Sequence, residues 1–68
     1  NYEKLYNSLM NHAKLATCVG YTERHHIIPK CMGGSNAKSN IVRLSARQHF
    51  IAHRLLCKIH PNHAGLWY

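Results

Sequence analysis

The sequence predicts a small α+β fold in the order helix, strand, loop, strand, helix, so that a ββα unit follows an N-terminal helix. Three observations predict it. Apolar residues recur at helical spacing from Tyr2 to Ala13. Two short β-branched runs, around Ile27-Ile28 and Ile41-Val42, flank a stretch rich in Gly, Ser, Asn and Lys. Ser45 then opens a second amphipathic run, with Gln48 three residues on.

In the first element, Tyr2, Leu5, Tyr6, Leu9, Met10 and Ala13 form one apolar face, and Asn1, Lys4, Asn11 and Lys14 fall on the wetter side. This helix, within residues 1–16, is expected to serve packing. Gly20 is a turn residue. From Tyr21 to Ile28 the aromatic, Thr and Ile residues suggest a short strand, which Pro29 ends or marks as an edge. Gly33-Gly34-Ser35-Asn36 and Lys38-Ser39-Asn40 are loop chemistry, with the glycines read as backbone turn devices. Ile41 to Leu44 forms the second strand. Ser45 and Gln48 make a capping box for a helix in which Ile51, Ala52, Leu55, Leu56 and Ile59 share a face. Arg47, Arg54 and Lys58 lie on one flank of that face, and His49 and His53 stack one turn apart on the other. The helix is expected to fade before Pro61. Residues 61–68 are left as a tail, with His60 and His63 read as solvated.

A chain of 68 residues makes a single domain that buries only about 60% of its unfolded surface. Such scaffolds usually need a staple. Cys18, Cys31 and Cys57 are odd in number and contain no C-x-x-C pair, so they read as small apolar filler rather than a disulfide framework. No secretory segment is evident, and an intracellular, reducing compartment is expected. No apolar run approaches the ~18 residues of a membrane span. The staple then falls to a metal, for which seven histidines are candidates.

Nine Lys and Arg stand against only Glu3 and Glu23, a formal net charge of +7 with a pI near 9.8. That balance is the footprint of a nucleic-acid binder. It does not fit a membrane-surface helix, because the basic residues are spread along the chain. The chain has no Asp. A carboxylate-held Mg²⁺ pair is therefore out of reach, and a single transition-type ion on imidazoles is favoured. Metal-assisted phosphodiester cleavage needs a cation and a base of near-neutral pKa held close together. Neighbours on a strand face opposite ways, so His25 and His26 diverge unless the strand end bends. His49 and His53, at i and i+4, project to one side and can share an ion. A ββα hairpin would bring that helix face against His25.

The ordered set His25-His26-Ile27-Ile28-Pro29, Gly33-Gly34, Asn40-Ile41-Val42-Arg43-Leu44 and His49 resembles the HNH nuclease motif, over roughly residues 23–58. The stretch from Leu44 to Leu56 is similar to HNH proteins carried by phages and mobile introns. The resemblance implies a ββα-metal (His-Me finger) hairpin over residues 21–58 and a DNA endonuclease. It implies that His26 is the general base, that His25 and His49 are metal ligands, and that Asn40 hydrogen-bonds across the loop to fix the base. It also implies His53 as a third ligand, although contact with the scissile phosphate is an alternative role for that residue. The ion would be Zn²⁺, Mn²⁺, Ni²⁺ or Mg²⁺. Lys30, Arg43, Arg47, Arg54 and Lys58 are expected to contact DNA phosphates. Since no separate base-reading module is present and the chain begins at Asn1, an additional DNA-targeting domain is expected elsewhere. The alternative is a metal-stapled module that binds nucleic acid without cutting it, and the two readings part at His26.

Overall fold

The computed structural model describes residues 1–16 and 19–66. Helix α1 spans Tyr2–Leu15, strand β1 Glu23–His26, strand β2 Ile41–Leu44 and helix α2 Ala46–Ile59. Short 3₁₀ turns lie at Lys30–Met32, Lys38–Asn40 and Ala64–Leu66. The predicted α+β order, a ββα unit behind an N-terminal helix, is thus the order observed.

Both helices start at a side-chain cap, and at α2 it is the Ser45 cap that the sequence predicts. The Asn1 side chain accepts from the Lys4 N–H at 3.1 Å, satisfying a donor that the first turn leaves open. At α2 the capping box is complete. The Ser45 hydroxyl accepts from the Gln48 N–H at 3.1 Å, and the Gln48 side chain accepts from the Ser45 N–H at 2.9 Å. Pro61 follows the end of α2 by two residues.

The strands pair antiparallel with Glu23 opposite Leu44, Arg24 opposite Arg43, His25 opposite Val42 and His26 opposite Ile41. Paired residues share a face. Glu23, His25, Val42 and Leu44 therefore look inward, and Arg24, His26, Ile41 and Arg43 look outward. Both helices pack against β2, and α1 packs against α2. Tyr6, Met10 and Ala13 of α1 meet Val42, Leu44, Ala52, Leu56 and Leu66 in one buried core.

Several expectations need correction. Strand β1 is shorter than Tyr21 to Ile28, because β2 offers only four partners and the Asn40 side chain takes both backbone groups of Ile28. Tyr2 and Leu5 of α1, and Ile51 of α2, stay exposed, since two thin helices on a two-stranded sheet cover less of each helix than the full apolar stripe. The end of the chain does not read as a solvated tail through residue 66. Leu66 is 1% exposed, and the Cys57 thiol donates to its carbonyl at 3.2 Å. His60 and His63 are half-buried. Cys57 packs against the core as the apolar filler expected, but Cys31 is exposed, and Cys18 lies outside the described residues.

Candidate metal centre

The side chains of Glu23 and His25 point to one face of β1 because they are two residues apart. That face looks at α2, where His49 and His53 are one turn apart. The rings of His25, His49 and His53 meet edge-on or tilted, with centroids 4.7–5.5 Å from one another. One nitrogen from each lies within 4.8 Å of the others, and among the described residues this is the only such group of metal-capable side chains. His25 is 3% exposed. Burial, reinforced by the positive potential of His49, His53 and His26, lowers its pKa to about 4. Burial, then His49, also lowers that of His53. Neutral imidazoles are the form that binds a metal.

Hydrogen bonds orient the rings. The Tyr6 hydroxyl donates to the Ile27 carbonyl at 2.7 Å and lies 2.8 Å from His25 Nε2. A phenol has one proton to give, so His25 is the donor at Nε2 and its Nδ1 carries the lone pair. His49 donates from Nδ1 to Glu23 Oε1 at 2.7 Å, which leaves its Nε2 as the lone-pair atom, 3.0 Å from His53 Nε2. Tyr21 donates to the other Glu23 oxygen at 2.6 Å. Those two bonds, Tyr21 first, hold the Glu23 carboxyl below its ordinary range. The chain Tyr21–Glu23–His49 is the carboxylate–imidazole support that metal-binding histidines commonly have.

This donor set fits a metal ion. Ligand atoms around a tetrahedral first-row ion at roughly 2.0–2.1 Å stand about 3.3 Å apart; the His49 and His53 nitrogens are 3.0 Å apart, and all three ligand atoms lie within 4.8 Å. Three imidazoles suit Zn²⁺ or Ni²⁺ better than Mg²⁺, which prefers oxygen.

His26 faces away from the trio. Its Nε2 lies 2.8 Å from Asn36 Oδ1; with that nitrogen donating, Nδ1 is left to accept a proton. Asn36 is carried on the loop that Asn40 straps. The buried Asn40 accepts from the Ile28 N–H at 2.8 Å and donates to the carbonyls of Ile28 at 3.0 Å and Ser35 at 2.9 Å. Asn40 thus spans the loop and shapes the platform under His26. Gly34 makes the strap possible, since a Cβ there would sit 1.7 Å from the Ile28 carbonyl oxygen. Gly33 supplies the left-handed turn beside it, with φ of +91°.

The trio and His26 open onto a groove of about 1260 Å³ between the edge of β1 and α2. Lys30, Arg54 and Lys58 line it, joined by Arg24, which sequence reasoning did not select. Arg43 and Arg47 are exposed but lie outside the groove lining. Phe50, 65% exposed, stands on the α2 rim beside His49. Sequence reasoning also passed over Glu23 and Tyr6 as site residues. Glu23 was readable from its place two residues before His25, on the same strand face. Tyr6 had no local signal, for its helical spacing marked it only as core. No helix among the described residues is long and apolar enough to cross a membrane.

No family model and no solved structure matches the chain. Three curated relatives come from Enterobacteria phage T4. Over 62 residues it is 55% identical to "Probable mobile endonuclease E", covering 90% of this chain and 44% of that protein. Identity to "Probable mobile endonuclease D" is 52% over 73 residues, covering 100% of this chain and 28% of that protein. For "Probable mobile endonuclease B" it is 48% over 67 residues, 88% and 25% respectively. The chain thus spans less than half the length of these relatives. It is a homologue of one segment of the phage T4 mobile endonucleases.

Proposed function

We propose that this chain is the catalytic domain of a phage-type HNH endonuclease that hydrolyses DNA phosphodiester bonds with one divalent metal ion and His26 as general base. The observation that carries this reading is the adjacency of two unlike sites on one basic groove. One is a buried three-imidazole centre, and the other is an imidazole held from outside it. A centre that merely stapled the fold would have no use for the second. The relatives' names support endonuclease, and the charge of +7 supports DNA as the substrate.

His25, His49 and His53 would hold the ion. When bound, it supplies positive charge to the phosphate and the departing oxygen. The chain's own residues do the rest. Lys30, Arg54 and Lys58, with Arg24, draw the phosphate backbone into the groove. Arg43 and Arg47 extend that attraction outside it. His26, steadied by Asn36, takes a proton from water at Nδ1. The water oxygen then bonds to phosphorus as the phosphorus–oxygen ester bond breaks. Asn40 keeps the loop in the shape that holds Asn36 under His26. Such phosphate contacts position DNA without reading its sequence, so target choice is assigned to a separate DNA-targeting part. The setting we infer is the interior of an infected cell.

Plasmid cleavage with Mn²⁺, Ni²⁺, Zn²⁺ or Mg²⁺, run beside His26→Ala, tests this. The expected result is metal-dependent nicking or linearisation that falls by about 10²–10⁴-fold in the variant, with DNA binding and fold retained. Equal cleavage by the variant would remove His26 as the base. Binding without cleavage by the unaltered chain, with any ion, would favour the non-cutting module.

A further inference from the structure

Tyr6 lies in α1, nineteen residues before His25, and is 5% exposed in the core. A tyrosine at such a position needs only its ring to pack, yet this one places its hydroxyl between two groups of the site. We propose that Tyr6 is a positioning residue for the metal centre, holding His25 with Nε2 protonated and Nδ1 delivered to the ion, so that α1 belongs to the site. This rests on the metal-centre reading above.

The geometry leaves little freedom. The Ile27 carbonyl accepts the phenol proton, and that carbonyl is itself anchored, because the Ile27 N–H donates to the Asn40 carbonyl at 2.8 Å. The phenol oxygen can then only accept from His25. A neutral imidazole carries one N–H, so accepting at Nε2 decides which nitrogen keeps its lone pair. Removing the hydroxyl would leave two groups without their partner, the buried Nε2–H and the Ile27 carbonyl. The imidazole would then lose its reason to prefer one tautomer and one ring orientation. Groups that orient a ligand histidine in this way typically change metal affinity by about 10–100-fold.

The purified chain and its Tyr6→Phe variant would be compared in two measurements. The first is Co²⁺ affinity, by competition with a chromogenic chelator. The second is the imidazole ¹⁵N spectrum of the metal-free protein, which distinguishes the two tautomers. Tyr2→Phe, a change at an exposed tyrosine on the same helix, is the control. The expected result is the Nε2–H tautomer for His25 in the unaltered chain, and Co²⁺ binding weakened by about 10–100-fold in Tyr6→Phe only. An Nδ1–H tautomer in the unaltered chain overturns the proposal, and this readout needs no variant to fold. Unchanged Co²⁺ affinity in a folded Tyr6→Phe overturns it as well. The two readings fail separately. Tyr6-dependent Co²⁺ binding without DNA cleavage would sustain Tyr6 and sink the nuclease, and cleavage with Tyr6-independent affinity would do the reverse.

Discussion

The two faces of β1 carry neighbouring histidines into opposite circumstances. On the inner face His25 is 3% exposed, bonded to Tyr6 and surrounded by His49 and His53. Glu23, on the same face, reaches across to His49. On the outer face His26 Nε2 meets Asn36 Oδ1, on a loop. The strand's two-residue period does this sorting. One imidazole is enclosed and oriented as a ligand needs to be, and its neighbour is left accessible to water, as a base needs to be. Identical side chains are placed in different surroundings by geometry alone.

That contrast can be strained first by acid, in protein kept free of metal. The pKa of His25 is about 4 in the folded chain, against an ordinary value near 6.5. As pH falls, the unfolded chain takes up the proton first. Stability from this residue is complete above about pH 6.5 and is lost progressively toward pH 4, by roughly 3 kcal/mol. Denaturant unfolding across that window should show the loss. In His25→Gln the slope across the same window should be clearly shallower, the remainder coming from His53, whose pKa burial also lowers, and an equally steep variant would assign the effect elsewhere.

A smaller effect separates the outer face from the inner one. Asn40→Ala removes three side-chain hydrogen bonds, worth about 2–3 kcal/mol together. Because the lost strap shapes the loop bearing Asn36, cleavage should fall while metal affinity holds. Loss of metal affinity in a folded Asn40→Ala would mean that the two faces are not independent.

Smallest is Glu23→Gln, which keeps the shape but weakens the acceptor for His49 Nδ1–H. Metal affinity should drop about 10–100-fold, roughly 1.4–2.7 kcal/mol, as read by chelator competition. No change would make the Glu23–His49 contact incidental to the centre.

Much of this arrangement was legible in the chain, and the reasons differ by element. The capping box, the apolar spacing of α1 and the order of the ββα unit depend on local patterns, and those survive in one dimension. So do His25, His26, Asn40 and His49, because their order and spacing carry the resemblance to the HNH motif. The trio's convergence is then a consequence of a strand facing a helix. What was not legible depends on long-range contacts. Tyr6 meets His25 only after α1 docks, and Leu66 joins the core through a turn with no periodic signal. Glu23 lay between these cases. Its strand-face relation to His25 was readable, but its partner on α2 emerges only from tertiary packing.

The central claim is that β1 assigns binding to His25 and proton transfer to His26. Its most direct test is metal affinity measured on His25→Ala and His26→Ala side by side, using Co²⁺ or Zn²⁺ and a competing chelator. The account predicts that His25→Ala loses tight binding while His26→Ala keeps the affinity of the unaltered chain. Equal loss in both, or loss in His26→Ala alone, would contradict it.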